Sequence, residues 1–186
     1  MWSQCSSIAF DRKGKARFAN FELAQRLIHN APNDDLRFIL FCGFHTGMRK
    51  MEIVEAVPGW FDLAARTIEI LATETFRPKD RDALTVPLTD QFVDFLKRWG
   101  LRSPFVLQPD VTHGSHRYRF DFRRAFGEYM KVQGVPWISP HVMRHSFASI
   151  CASKASTFTE SRRGSATMCA SCSAIMQNSG RTIAKS

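Results

Sequence analysis

Apolar residues recur at helical spacing along most of the chain. Residues 21–30 (FELAQRLIHN) place them at three- and four-residue intervals and stop before Pro32, which predicts a helix. Asn33, Asp34 and Asp35 then offer N-cap chemistry, because a short side-chain oxygen can accept from the unpaired N–H groups of a helix start. Residues 36–44 (LRFILFCGF) are apolar nearly all round, so their helix is predicted to be buried. Thr46-Gly47 breaks it, and residues 50–56 predict a further short helix.

Pro58-Gly59 marks a turn, after which the period shortens. Residues 60–62, 67–72 (TIEILA) and 84–88 (LTVPL) are β-like, with the polar stretch 76–82 before the third segment. They predict a small antiparallel sheet with a long basic hairpin. Residues 89–99 (TDQFVDFLKRW) form a clean amphipathic pattern, 104–107 a short extended piece, and 117–132 and 140–154 two more helices. The predicted fold class is therefore α+β, mainly helical with a small antiparallel β-sheet. Past Lys154 the texture changes: residues 155–186 contain no Leu or Val, and Phe158 is their only aromatic. The expected organisation is a basic lead-in over 1–20, one domain over 21–154, and a disordered tail over 155–186.

With 186 residues, 44% of them hydrophobic, the chain can bury one ordinary core. Its 26 Lys and Arg against 17 Asp and Glu leave a net charge of +9, which favours a polyanionic partner, nucleic acid being the usual one. No apolar run approaches the ~20 residues that cross a bilayer. The first residues hold no apolar stretch of signal length, so no membrane partner and a cytoplasmic location are expected. The five cysteines (Cys5, Cys42, Cys151, Cys169 and Cys172) are an odd set, which argues against a disulfide framework. Cys42 lies in an apolar run and suits a core. Cys169 and Cys172 form a single C-x-x-C with no second pair, so no metal is expected.

Three segments carry candidate chemistry. Thr46-Gly47-Met48-Arg49-Lys50-Met51-Glu52 sets an Arg between a buried helix and a short one. Lys79 lies in the basic hairpin, ahead of the V-P-L strand. His141 and Arg144 share a helix face at three-residue spacing, with His145 following. Taken singly, each has an ordinary explanation. Arg49 could be a helix-terminal charge, Lys79 a solvated hairpin tip within the charged run 77–81, and His141 a residue beside an N-cap. His141 and His145 have the i,i+4 spacing of a metal pair, but the Glu of H-E-x-x-H is absent.

Their order along the chain decides the matter. From about residue 18 to about residue 154 the sequence resembles the tyrosine recombinases, or phage integrases. Their hallmark is T-G-x-R-x-x-E, then a hairpin Lys, then H-x-x-R, matched here by Arg49 with Glu52, Lys79, and His141 with Arg144. The resemblance implies transesterification at a phosphodiester of double-stranded DNA, for integration or excision, with no cofactor. Arg49 and Arg144 would donate paired hydrogen bonds to the phosphate oxygens, where loss of one such donor costs ~3 kcal/mol or more. Lys79 would protonate the leaving 5′-oxygen, and His141 would assist proton transfer or bond the phosphate. Glu52 and His145 would stand behind them. Family members act as tetramers on DNA; this chain is expected to be monomeric.

One part of the pattern is not met. The family's nucleophile is a tyrosine downstream of the H-x-x-R arginine, and the two tyrosines here, Tyr118 and Tyr129, both precede Arg144. Without that group no covalent phosphotyrosyl intermediate forms, so the chain is expected to be cleavage-defective. Reading residues after Lys154 one frame over regains Leu, Val and Trp, and allows a Tyr codon across Ile175 and Met176, which suggests a frameshifted tail. Two other readings stay open: a non-catalytic DNA-binding module, and a zinc-stabilised nucleic-acid protein using Cys169, Cys172 and histidines.

Overall fold

The structure is a computed structural model that describes residues 18–74, 76–77, 84–108 and 121–161. Helix α1 (Phe21–His29) begins at Asn20, whose side-chain oxygen accepts the Leu23 N–H at 2.9 Å. Helix α2 (Asp34–Phe41) begins at Asn33, which accepts the Leu36 N–H at 2.8 Å, as the Asn-Asp-Asp run predicts. The apolar run does not stay α-helical to its end. Residues Cys42–Thr46 widen into a π-helical turn, all five of them buried.

Helix α3 (Lys50–Val54) follows, then a 3-10 turn at Pro58–Trp60. Strands β1 (Phe61–Asp62), β2 (Thr67–Ile70) and β3 (Leu84–Pro87) form one antiparallel sheet in that order. Phe61 pairs with Ile68, and Ile68 with Val86, so three buried side chains line one face. The sheet matches the sequence prediction. The connection from Ile70 to Leu84 holds Lys79, which lies outside the described residues.

Helix α4 (Asp90–Trp99) buries Phe92, Val93, Phe95 and Leu96. Phenylalanines from three elements meet at the core. The Phe41 ring stacks on Phe92 at 4.8 Å, and Phe38 sits 6.0 Å from Phe61 and 5.4 Å from Trp99. The predicted extended piece at 104–107 is irregular rather than a strand; its Val106 N–H bonds the Ala56 carbonyl at 2.9 Å.

Helix α5 (Arg123–Val132) does not include Asp121 and Phe122, which the pattern over 117–132 places in it, and residues 117–120 of that prediction lie outside the described residues. Asp121 accounts for the start at Arg123: its carboxylate accepts from the Arg123 backbone and guanidinium. Helix α6 (Pro140–Ser161) runs seven residues past its predicted end at Lys154. No Gly or Pro falls between Pro140 and Gly164, so nothing local stops it.

Candidate functional site

The T-G-x-R-x-x-E segment is explained by helix ends. The Cys42 carbonyl gathers the Thr46 hydroxyl at 2.6 Å, the Gly47 N–H, and the Met48 N–H at 3.2 Å. Three donors thus converge on one carbonyl and close the end of the π-helical turn. Gly47 adopts φ +67°, a left-handed conformation that glycine takes without a Cβ penalty. The chain then turns outward and Arg49 becomes the N-cap of α3. Its N–H donates to Glu52 Oε2 at 2.6 Å, and its guanidinium donates to Glu52 Oε1 at 3.0 Å. Glu52 is only 3% exposed. One buried carboxylate therefore holds both ends of Arg49, backbone and side chain.

Helix α6 brings the second half of the site. It packs on the π-helical turn through two knobs, Met143 and Phe147, set against Gly43 and Gly47. A Cβ on Gly43 would lie 2.5 Å from Met143 Cε, and one on Gly47 would lie 2.6 Å from Phe147 Cδ1. This interlock puts Arg144 beside the turn, and its guanidinium donates to the Gly47 carbonyl at 2.5 Å. Segments 97 residues apart are thus joined two residues before Arg49. Buried Ser146 locks the helix from the other side, accepting the Ala19 N–H at 2.7 Å and donating to the Val142 carbonyl at 2.8 Å.

His141 and His145 lie one turn apart on α6, both exposed. Their rings meet edge to face at 4.3 Å, with 2.8 Å between the two Nε2 atoms. Partial burial, with the charges of His141 and Arg144, holds the His145 imidazole below its ordinary range. Of the six predicted site residues, the structure joins Arg49 to Glu52, His141 to His145, and Arg144 to the Gly47 carbonyl. Lys79 and Tyr118 lie outside the described residues.

Sequence reasoning passed over Gly43, Ser146 and His45. His45 is buried in the π-helical turn, with Nδ1 2.7 Å from Thr89 Oγ1 and Nε2 3.1 Å from the Gln25 amide nitrogen. The amide nitrogen can only donate, so Nε2 accepts and Nδ1–H donates to Thr89. The spacing of Gly43 and Gly47, matched by Met143 and Phe147, was the available signal. Tyr129 is a core residue: its hydroxyl donates to the Leu27 carbonyl at 2.7 Å. Burial pushes its phenol up to about 12, against the opposing pull of Arg26 and Arg37. Among the described residues no three His, Cys, Asp or Glu side chains are grouped to hold a metal ion. No described helix is long and apolar enough to cross a membrane.

No curated protein matches the chain in sequence. Solved structures do match it in fold. XerA recombinase superposes with a TM-score of 0.57 at 20% identity, over 74% of this chain and 51% of that one. The integrase from mycobacterium phage Brujita gives 0.57 at 20% identity, over 77% and 46%. The Tn1549 transposon integrase in complex with transposon right end DNA gives 0.55 at 16% identity, over 95% and 70%. The chain spans about half the length of the first two. The sequence profile of the phage integrase family matches residues 18–156, three quarters of the chain and all three site segments. The chain belongs to the phage integrase family, with the mainly helical fold and small antiparallel sheet of the tyrosine recombinase catalytic domain.

Proposed function

We propose that residues 21–154 are an incomplete catalytic domain for site-specific DNA recombination, which binds double-stranded DNA but does not cleave it. The observation that carries this reading is the Arg144–Gly47 bond, which brings H-x-x-R against T-G-x-R. Arg49 and Arg144 then act as the phosphate-holding cations, with His141 bonding the phosphate and Lys79 as the proton donor. Glu52 orients Arg49 from behind. Guanidinium groups suit the task because each stays charged and can donate two parallel hydrogen bonds. The net charge of +9 supports a duplex partner.

Strand cleavage needs a nucleophile, and no tyrosine follows Tyr129 in these residues. Residues 155–186 are an aberrant tail in this reading, translated out of frame. The family match ends at residue 156, close to where the composition changes. The nucleotide sequence tests this directly: a base other than T at the third position of the Ile175 codon removes the Tyr reading.

A nicked suicide duplex tests the chemistry, with no covalent protein–DNA adduct expected. An adduct overturns the proposal. Binding to duplex DNA should weaken with salt, and Arg49→Ala or Arg144→Ala should each lower the log–log salt slope by about 1. A non-catalytic module that senses charge alone would keep its affinity in Arg49→Lys and Arg144→Lys. A phosphate cradle would lose affinity in both.

A further inference from the structure

The two exposed imidazoles on α6 are spaced for a ligand shared between them. His141 and His145 are one helical turn apart, so their rings leave the same face. Their Nε2 atoms are 2.8 Å apart, yet the ring centres are only 4.3 Å apart. Two nitrogens aimed straight at each other across 2.8 Å would put the ring centres ~5.1 Å apart, since each nitrogen lies about 1.15 Å from its ring centre. At least one nitrogen therefore points well off the line between them, and an in-line N–H···N bond does not describe the pair.

A metal ion bound by both nitrogens reproduces both distances. With metal–nitrogen bonds of about 2.05 Å, the 2.8 Å separation fixes an N–metal–N angle of ~86°. The same triangle puts the ring centres ~4.4 Å apart, against 4.3 Å observed. An angle near ~90° joins adjacent positions of square-planar or octahedral coordination, whereas tetrahedral zinc needs ~3.3 Å between the nitrogens. We propose that His141 and His145 form a two-imidazole chelate for a divalent transition metal of the Cu2+ or Ni2+ class. Both rings bind through Nε2 and carry their proton on Nδ1, so the two are equivalent. Among the described residues no third ligating side chain joins the pair, so water fills the remaining positions and the ion exchanges with solvent. The helix under the pair is held on other sides. Met143 and Phe147 seat it on Gly43 and Gly47, Ser146 ties it to Ala19, and Arg144 donates to the Gly47 carbonyl. The two nitrogens are thus presented by a fixed turn, which lowers the ordering cost of binding. This site goes beyond the recombination reading and does not depend on it.

Titrating the full chain with Ni2+ at neutral pH, while following the histidine ring 1H–15N signals, tests the chelate at its own position. Paramagnetic Ni2+ should broaden the His141 and His145 rings together, at one midpoint. In His145→Ala the His141 midpoint should rise ~10-fold or more, because the second nitrogen is no longer held beside the ion, and His141→Ala should do the same to His145. Both side chains are exposed, so neither substitution removes core packing, and circular dichroism checks that the helices persist. His29, an exposed imidazole at the end of α1 with no histidine one turn away, is the internal control. It should broaden only at ~10-fold higher Ni2+ than the pair. Midpoints that do not move when the partner ring is removed would mean two independent imidazoles and overturn the proposal. A His29 midpoint equal to that of the pair would overturn it as well.

Discussion

Replacing Gly47 with Ala should destabilise the chain strongly, and the structure sets the size. At φ +67° a residue with a Cβ incurs roughly 1–2 kcal/mol of backbone strain. The added methyl also meets Phe147 Cδ1 at 2.6 Å, and Phe147 is itself buried, so the ring cannot simply swing clear. Overpacking of this kind costs ~1–3 kcal/mol. Together these give ~2–5 kcal/mol, against a typical total of ~5–15 kcal/mol. Gly43→Ala isolates the steric part. Gly43 needs no positive φ, but its new methyl would lie 2.5–2.9 Å from Met143, so ~1–3 kcal/mol is expected. Gly127→Ala is the control: it lies inside α5 with nothing within 4 Å of the added carbon, so it should stabilise by up to ~1 kcal/mol through helix propensity. Urea unfolding followed by circular dichroism measures all three, with midpoints shifting at constant slope. A loss below ~1 kcal/mol for Gly47→Ala, or equal losses at positions 47 and 127, would refute the claim that α6 is seated on these two glycines.

Other expectations follow from single contacts. Glu52→Gln keeps the shape but removes the buried charge that holds Arg49, and should cost ~1–3 kcal/mol in urea unfolding while weakening duplex binding. Ser146→Ala leaves the Ala19 N–H without its acceptor and should cost ~1–3 kcal/mol, raising amide exchange at Ala19. Tyr129 has a folded value of about 12, above its ordinary 10, so the fold favours the neutral phenol. That stabilisation is complete below pH 10 and is lost as pH rises through about 12, up to roughly 2–3 kcal/mol in all. Tyr129→Phe should remove this alkaline limb from the pH–stability curve and cost ~1 kcal/mol at neutral pH.

Much of this was legible in local chemistry. Asn33 as a cap, Gly47 as a break and the three strands follow from side-chain types at fixed offsets, and the structure keeps them. Glu52 was legible as a support for Arg49 because three-residue spacing places a carboxylate at the N-cap backbone. The start of α5 was not legible, because Asp121 competes for the Arg123 backbone in a way that apolar periodicity does not register. The π-helical turn was hidden for a similar reason: its apolar residues suit any buried helix, and packing against α6 selects the wider turn. The role of Gly43 depends on Met143, a hundred residues away; the shared four-residue spacing of the two glycines and of Met143 and Phe147 is a signal of the pairing, but it does not say which segments meet.

The π-helical turn has a consequence for chain length. A five-residue loop of backbone between Cys42 and Gly47 holds one residue more than an α-helical turn would. In an α-helix each residue advances the chain by about 100° around the axis. The wider turn takes up that extra residue, so the chain leaves it in about the direction that an α-helical turn one residue shorter would give. Deleting one residue within the turn should therefore let it relax to ordinary geometry with the Gly47 carbonyl still toward Arg144. Deleting one residue from the α-helical part of α2 has no such outlet: everything after it, Gly47 included, would turn by about 100°, and the two halves of the site would separate.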